Sequence, residues 1–493
     1  MIHVKLEGHD YEYEIGELIK VFYNVDEFQF ADEITNDRVG IINKLYYENE
    51  KKFSISSLYD KGKIIMEIKE EFNIEDRNPL KERKLVKQKL KLTLFELLAQ
   101  YRKRRPKWGI LTGIRPTKIV YELMNEGFTE EEIKNILKVQ YRLNEEKIQL
   151  LINIVNIEKN LMNNKEDYVS IYIGIPFCPT KCLYCSFPSN SICKKNDKRE
   201  AYIESLVYEI KEVSIILREG NKKIDTIYIG GGTPTSLTND QLDKLFVTIK
   251  EELDLSEVRE FTVEAGRPDT ITIEKLETIK KHGIERISIN PQTMNDPTLK
   301  LIKRDHTVED IKSTYKLAKQ IGFKTINMDL IIGLPNEGID EFENTMKEMI
   351  KLDPENITVH TLAIKKSSIL KANKEKYKLC HENSAEKMIE LANKYCKKMG
   401  MSPYYMYRQK YMVGNLENIG YGKVNHECIY NIEIIEEKQT IIALGAGAVS
   451  KIYYPEENRL ERVPNVTSLD HYINRTKEMV ERKKKELLGK NMK

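Results

Sequence analysis

The sequence predicts an α/β protein built on a partial barrel of six strand–helix units. From about residue 168 onward, short apolar runs alternate with longer helical patterns, which is typical of parallel strands joined by helical crossovers. The chain has 493 residues, too many for one ordinary core, so two or three domains are expected. An N-terminal α+β and helical region precedes the barrel, and an irregular α+β extension follows it.

These changes of pattern divide the chain into four regions. Residues 1–78 are expected to form a small α+β domain and residues 79–165 a helical linker region. Residues 166–370 form the partial (β/α)6 barrel, and residues 371–493 form a C-terminal region that covers the substrate.

The first region contains runs in which apolar residues alternate, as they do in half-buried strands. Such runs over residues 2–6 and 11–15 flank Gly8, which predicts a β-hairpin. Further strands are expected near residues 42–47, 52–57 and 64–68.

The second region is helical apart from one loop. Residues 80–103 have an amphipathic pattern with Leu90, Leu94, Leu97 and Leu98 on one face. Glycines and prolines break the pattern over residues 106–118, and helical pattern resumes from about 117 to 162.

The barrel region contains six apolar runs, each followed by a turn or a helical stretch. Because active sites in such folds collect at the carboxyl ends of the strands, polar residues at those ends are candidates for chemistry. The expected strands are 169–175, 226–229, 260–263, 286–289, 325–332 and 356–362.

The C-terminal region begins with a helical stretch at about 384–399 and then becomes irregular and aromatic over residues 402–412. A last helix follows, with Ser468 or Thr467 as its expected N-cap.

Composition restricts the class of protein. Lys plus Arg total 80 and Asp plus Glu 77, which argues against a nonspecific nucleic-acid surface, although the basic stretch 81–91 leaves that alternative open. No apolar stretch approaches the roughly 20 residues that span a bilayer, and the first residues lack the pattern of a signal peptide. We therefore expect a cytoplasmic protein with no membrane and no nucleic-acid partner.

Three of the seven cysteines occur as C-x3-C-x2-C directly after the first barrel strand. Thiolates suit Fe–S clusters and zinc, but structural zinc needs a fourth ligand, and none follows at finger spacing. A cubane held by Cys178, Cys182 and Cys185 leaves one iron open to chelate a cofactor. The other four cysteines are scattered, and the simplest interpretation is that each packs as a small hydrophobic residue. They are Cys193, Cys380, Cys396 and Cys428.

This spacing resembles that of the radical S-adenosylmethionine (SAM) superfamily. The pattern Y-x-H-I-P-F-C-x3-C-x-[FY]-C of the oxygen-independent coproporphyrinogen III oxidase family is matched from Tyr172 to Cys185, with Gly174 replacing the histidine. The resemblance covers residues 166–452, and the segments 108–118 and 403–421 resemble the HemZ-type coproporphyrinogen dehydrogenases in particular.

The resemblance implies two cofactors, a [4Fe–4S] cluster on the three cysteines and SAM beside it. Independently, the glycines at 230–232 allow the backbone to approach a ligand closely, and Asp329, inside an apolar strand, needs a polar partner. The positions that match SAM contacts are Tyr172, Tyr184, Gly231, Gly232, Thr233, Glu264, Gln292, Arg304, Asp329, Ala363 and Val449.

The resemblance also implies an activity, the oxidative decarboxylation of two propionates of coproporphyrinogen III to vinyl groups in porphyrin and haem biosynthesis. A reduced flavodoxin or ferredoxin is the implied electron donor. The macrocycle needs aromatic walls and cations. Segment 404–410 offers tyrosines as the walls and Arg408 and Lys410 as the cations, and Lys365 and Lys366 are further candidates. The alternative for this segment is a packed surface loop with extended cations.

One departure leaves other functions open. Bacterial enzymes that decarboxylate coproporphyrinogen have a fourth cysteine where this chain has Phe187, and Cys193 lies nearby but out of register. The related haem chaperones share that change. The alternatives are therefore a haem-binding chaperone, a radical methyltransferase that modifies haem, or a nucleic-acid modifying radical enzyme.

Overall fold

The computed structural model of the protein describes residues 1–23, 25–35, 37–49, 51–73, 78–163, 165–187, 189–192, 198–410 and 412–489. The chain forms two compact units, residues 1–155 and 156–493. The domain boundaries expected at residues 78, 165 and 370 stay predictions.

The first unit contains a five-stranded sheet. Its strand order is β2-β1-β3-β4-β5, with β1 parallel to both neighbours and β3, β4 and β5 antiparallel. The strands expected near 42–47, 52–57 and 64–68 are confirmed. The strands are β1 (Ile2–Glu7), β2 (Phe28–Phe30), β3 (Gly40–Glu48), β4 (Lys51–Asp60) and β5 (Lys63–Phe72).

The hairpin expected from the first two apolar runs is wrong. The second run begins helix α1 (Glu12–Ile19), whose buried residues Ile15, Leu18 and Ile19 follow helical spacing, while Tyr13 is exposed. Three alternating residues are too few to distinguish a strand from the first turn of a helix.

The remaining helices of this unit match the expected pattern. Asn78 caps α2 (Pro79–Arg102) by accepting a hydrogen bond from Leu80 N at 3.0 Å, and proline occupies the first helical position. Between α2 and α3, Trp108 is buried beside the Lys147 side chain. The other helices are α3 (Thr117–Asn125), α4 (Glu130–Tyr141) and α5 (Glu145–Leu161), which crosses the boundary between the units.

The second unit contains an eleven-stranded sheet whose central strands confirm all six expected barrel strands. The parallel strands follow the order β6-β9-β10-β11-β12-β13, and β16 extends them by pairing parallel with β6. These strands are apolar along most of their length because both faces of the sheet are buried: helices pack on the outer face, and the inner face lines the lumen of the barrel. They are β6 (Tyr168–Ile175), β9 (Lys223–Gly231), β10 (Glu260–Gly266), β11 (Arg286–Ile289), β12 (Thr325–Ile332), β13 (Asn356–Thr361) and β16 (Thr440–Leu444), with a two-stranded pair, β7 (Phe177–Cys178) and β8 (Asn190–Ser191), beyond β6.

Helices follow the barrel strands, and threonine side chains cap several of them. Thr238, Thr272 and Thr307 each accept a hydrogen bond from a backbone N–H in the first turn. The helices are α6 (Arg199–Glu219), α7 (Asn239–Glu252), α8 (Ile273–Lys281), α9 (Asp296–Leu301), α10 (Val308–Ile321), α11 (Ile339–Leu352), α12 (Ile369–Ala372) and α13 (Glu382–Lys398).

The segment expected to be irregular at 402–412 instead begins with strand β14 (Ser402–Tyr407), which pairs antiparallel with β15 (Asn418–Gly422). Pro403 is compatible with this strand, because proline is tolerated on an edge strand and β14 lies at the edge of the sheet. The remaining elements are α14 (Ile429–Glu436), β17 (Val449–Tyr454), β18 (Arg459–Pro464) and α15 (Leu469–Leu488), which Ser468 caps as expected.

Over the part of the chain that the structure describes, no helix is both long enough and apolar enough to cross a membrane.

Candidate functional site

A cavity of about 380 Å³ opens at the carboxyl ends of the barrel strands. All three cysteines of the motif and ten of the eleven positions matched to SAM contacts line it. The exception is Val449, an exposed residue on β17. Residues that are far apart in sequence thus meet where the parallel strands end.

The three cysteines come from the loop that leaves β6. Cys178 Sγ lies 3.5 Å from Thr233 Oγ1, and Arg267 Nη1 lies 3.9 Å from Cys182 Sγ. The loop is held by Leu183 N, which donates to Ile302 O at 3.1 Å. All three thiols are free, and burial raises the pKa of Cys178 and of Cys185.

The glycine segment after β9 packs directly against the cysteine loop. Gly232 N donates to Ile175 O at 2.8 Å, and Thr233 N donates to Phe177 O at 2.7 Å. A Cβ at Gly232 would lie 2.5 Å from Phe177 O and 3.0 Å from Cys178 Sγ. Only glycine therefore allows the two loops to approach this closely.

Glu264 lies at the end of β10, facing Tyr228. The Tyr228 hydroxyl donates to Glu264 Oε1 at 2.6 Å. Burial raises the pKa of Glu264 to about 7, although the hydrogen bond from Tyr228 opposes the rise. The carboxyl group is therefore poised to change charge near neutral pH.

Arg304 and Tyr184 lie on the other side of the cavity. Arg304 Nη2 donates to the Tyr184 hydroxyl at 3.1 Å, and Nη1 donates to Asn290 O at 2.8 Å. Its Nε is buried and has no acceptor among the described residues. A ligand with a hydroxyl or carboxylate group would satisfy this donor.

Asp329 belongs to a chain of polar side chains across the lumen. Asn327 Nδ2 donates to Asp329 Oδ1 at 2.8 Å, and His360 Nε2 lies 3.8 Å from Oδ2. The opposite nitrogen of His360 is 3.4 Å from the Tyr407 hydroxyl. The polar partner that Asp329 was expected to need is thus present.

Three tyrosine rings next to Glu264 lie nearly parallel to one another. The ring centroids of Tyr228 and Tyr430 are 4.5 Å apart, and that of Tyr172 lies 6.4 Å and 6.1 Å from them. Of these three rings, that of Tyr172 lines the cavity.

Sequence reasoning did not single out several residues that line the cavity. Alternation along β13 and β14 would point to His360 and Tyr407 only if the register of each strand were known. Their neighbours in the cavity include Arg267, Lys181, Gln409 and Asn418.

The residues expected to contact the substrate are mostly elsewhere. Arg408 is 2% exposed and donates to Asn415 O at 2.6 Å, so its guanidinium belongs to the protein interior, and burial lowers its pKa to about 10. Neither Arg408 nor the exposed Lys410 lines the cavity, whereas Lys365 does. Cys193 lies outside the described residues.

Comparison with known proteins supports a radical SAM assignment. The family model described as the Radical SAM superfamily matches residues 172–349. The oxygen-independent coproporphyrinogen-III oxidase-like protein HemZ of Bacillus subtilis is 40% identical over 493 residues, covering 99% of this chain and 98% of that protein.

Two further proteins show how far the similarity extends. The haem chaperone HemW of Bacillus subtilis is 32% identical over 305 residues, which cover 62% of this chain and 75% of that protein. The structure of coproporphyrinogen III oxidase (HemN) from Escherichia coli has a TM-score of 0.51 at 20% identity, over 66% of this chain and 72% of that one. That structural similarity shows the fold.

The cavity fits the two cofactors of this superfamily, a [4Fe–4S] cluster and SAM. Three free thiols come from one loop, and a cubane takes each thiolate on a separate iron atom. Within the described part of the chain, no three Cys, His, Asp or Glu side chains lie close enough together to hold one metal ion. Beside the thiols lie bare glycine backbone and the buried Arg304 Nε.

The fold, the arrangement of the cavity and the full-length similarity agree with one another. This chain is a radical SAM enzyme that belongs to the family of oxygen-independent coproporphyrinogen-III oxidase-like proteins to which HemZ belongs.

Proposed function

We propose that the protein converts coproporphyrinogen III to protoporphyrinogen IX without oxygen, in porphyrin and haem biosynthesis. The observation that carries the proposal is a single cavity lined both by Cys178, Cys182 and Cys185 and by polar and cationic side chains. The full-length similarity to a coproporphyrinogen oxidase-like protein supports the choice of substrate.

The cysteines would hold the cluster, and the residues around them would hold SAM. When bound, the cluster and SAM would supply radical chemistry able to abstract a hydrogen atom from the β-carbon of a propionate. The Gly231–Gly232 backbone would lie against the methionine part, and Glu264 and Arg304 would bind polar groups. Burial of these groups excludes water from the reacting atoms.

The overall reaction is balanced by three losses from each propionate. One hydrogen atom ends in 5′-deoxyadenosine, one molecule of carbon dioxide is released, one further electron passes to an external one-electron acceptor, and a vinyl group remains. Two propionates react in turn. A reduced flavodoxin or ferredoxin is the proposed electron donor to the cluster.

Four further side chains that line the cavity remain for the substrate. Lys365 and Lys181 offer cations to propionates, and burial lowers the pKa of Lys365. His360 and Tyr407 line the cavity from β13 and β14 and are linked to each other by a 3.4 Å contact. We propose that these four groups orient the reacting propionate.

The test is anaerobic reconstitution of the full-length protein, followed by incubation with SAM, a strong reductant and coproporphyrinogen III. We expect vinyl products by mass spectrometry and one 5′-deoxyadenosine for each vinyl group formed. A Cys182→Ser variant is the control and should form neither. Deoxyadenosine that accumulates without any decarboxylated product would reject the proposed substrate.

Phe187 favours a second candidate, a haem-binding chaperone. This residue lines the cavity and is 63% exposed, at the position where decarboxylating relatives carry a fourth cysteine. The similarity to the haem chaperone HemW supports this alternative. Tight stoichiometric haem binding without vinyl product, and a loss of haem binding in Phe187→Ala, would favour the chaperone over the oxidase.

A further inference from the structure

A second cavity lies in the first unit, outside the radical SAM site. It has a volume of about 450 Å³ and lies between α2, the segment before α3 and Tyr141. Its apolar floor is formed by Leu80, Ile110, Leu111 and Ile119. We refer to this cavity as the α2 groove.

One wall of the α2 groove is cationic. Arg83, Lys84, Lys87 and Lys91 line it, and their spacing of one, three and four residues places them along one side of α2. They belong to segment 81–118, which contains thirteen Lys or Arg residues and two Glu, in a chain with a net charge of only +3. The groove thus combines an apolar floor with a row of four positive charges, against which the lining has one carboxylate, Glu14.

Two cations of this wall have carboxylate partners, and both partners lie at the surface. Lys87 Nζ lies 2.9 Å from Glu14 Oε1, and Lys84 Nζ lies 2.6 Å from Glu122 Oε2. Both pairs are partly exposed, so little free energy opposes their exchange for another anion. The Arg83 guanidinium lies over the Tyr11 ring at 5.8 Å, and no described carboxylate is within ion-pair distance of it.

We propose that the α2 groove binds an amphipathic polycarboxylate, namely the carboxylated tetrapyrrole on which the enzyme acts. A flat apolar ring would cover the aliphatic floor, and its propionates would reach the cations of α2. The identity of this ligand rests on the proposed function, whereas its chemical class follows from the groove itself. The site would hold substrate or product apart from the radical SAM cavity.

The composition of the groove favours this ligand over other anions. Single-stranded nucleic acids bind through aromatic stacking faces along a basic track, but the floor here is aliphatic, with Tyr141 as its aromatic residue. A volume of about 450 Å³ is within the range of small-molecule sites, while protein partners usually bind over broader surfaces.

Binding at the α2 groove should not depend on the cluster or on SAM. Every lining residue precedes residue 142, and none is shared with the cavity around the cysteines. Binding can therefore be measured on the full-length protein without catalysis. The Cys178→Ser/Cys182→Ser variant provides a cluster-free background.

The experiment is a fluorescence titration of this cluster-free, full-length protein with coproporphyrin III, the oxidised and stable form of the substrate ring. We expect Arg83→Glu/Lys87→Glu to weaken binding by about tenfold or more, because two charge-assisted contacts are lost. Binding should also weaken as salt is raised. Circular dichroism would show that each variant is folded.

A second variant tests the apolar floor without threatening the fold. Leu80 is 78% exposed, so Leu80→Glu costs no core packing and should also weaken binding. Matched controls lie at and just before the start of β5 in the same unit: Lys61→Glu/Lys63→Glu makes the same charge change as the double variant, and Ile65→Glu replaces a side chain that is 51% exposed. Both controls should bind coproporphyrin III like the parent.

Two results would overturn the proposal. One is equal affinity for the parent, Arg83→Glu/Lys87→Glu and Leu80→Glu. The other is binding of a short single-stranded RNA at the same residues that coproporphyrin III does not displace. Failure of the decarboxylation assay with groove binding intact would reject only the proposed function, and normal turnover without groove binding would reject only this site.

Discussion

Gly232, in the glycine segment after β9, packs directly against the loop that carries the three cysteines. Its missing side chain leaves room for Phe177 O and Cys178 Sγ, which a Cβ would meet at 2.5 Å and 3.0 Å. Such distances require one of the two backbones to move. The position of Cys178 therefore depends on a residue more than fifty positions away.

We expect Gly232→Ala to reduce cluster loading severely, because Cys178 would be displaced from the position that binds iron. Iron and sulfide contents after anaerobic reconstitution are the measurement. The matched control is Gly113→Ala, since a Cβ there meets nothing within 4 Å. Full iron content in Gly232→Ala would show that the loop adapts without cost.

Glu264 and Tyr228 lead to a prediction about pH. Burial raises the pKa of Glu264 to about 7, and the Tyr228 hydrogen bond lowers it. If the carboxylate form binds SAM, affinity for SAM should rise as pH increases through about 7. In Tyr228→Phe that rise should move to higher pH, because the charged form has lost a donor. Isothermal titration with SAM between pH 6 and about 9 would measure the affinity of both proteins. Identical pH profiles for the parent and Tyr228→Phe would contradict a role of the Glu264 carboxylate in binding SAM.

Individual site residues were predictable where their chemistry is local in sequence. The cysteine spacing and the three glycines are short motifs, and the structure brings both to one cavity. Arg408 shows the limit of this reasoning, because a cation among tyrosines looks the same in sequence whether it faces a ligand or the protein interior. His360 and Tyr407 reach the cavity through strand register, which no short motif reveals.

At the scale of elements, the last helix is attached to the barrel by a buried ion pair. Lys483 of α15 and Glu209 of α6 are both fully buried, with Nζ 2.7 Å from Oε1. The other oxygen of Glu209 accepts from Tyr472 at 2.6 Å and from Gly445 N at 2.8 Å. The pair thus joins two helices to the turn after β16.

Lys483→Met should lower the free energy of unfolding by about 3–5 kcal/mol, because Glu209 would remain buried without its counter-charge. The control is Lys485→Met, an exposed lysine on the same helix. Adding Glu209→Gln to Lys483→Met should restore part of the loss. Urea denaturation measures all three, and an unchanged midpoint for Lys483→Met would contradict the prediction.

Elements were predictable where apolar runs were long. The run 325–332 coincides with β12, and the amphipathic pattern at 80–103 coincides with α2 within one residue. Short or interrupted runs were misjudged: residues 11–15 begin a helix, and Pro403 lies in a strand. In both cases the deciding factor was tertiary, namely which side chains the neighbouring elements buried.

At the scale of the whole molecule, the two cavities lie in different units. Every residue that lines the radical SAM cavity belongs to the unit of residues 156–493, and the α2 groove belongs entirely to residues 1–155. Helix α5 crosses the boundary, and its residues Ile157 and Leu161 pack in the core of the second unit.

A chain that starts at Glu145 should therefore retain cluster and SAM binding, since it keeps α5 whole together with the complete cavity. Iron content and SAM titration after anaerobic purification are the measurements, with the full-length protein as the control. A truncated chain that folds but binds no iron would show that the first unit is required to build the site.

Trp108 is the sole tryptophan of the chain, and it is buried in the first unit. Indole emission consequently reports on that unit alone, whereas visible absorbance of the iron–sulfur chromophore reports on the other. Recorded together along one denaturant gradient, the two optical signals would reveal whether the units melt in a single cooperative step or independently.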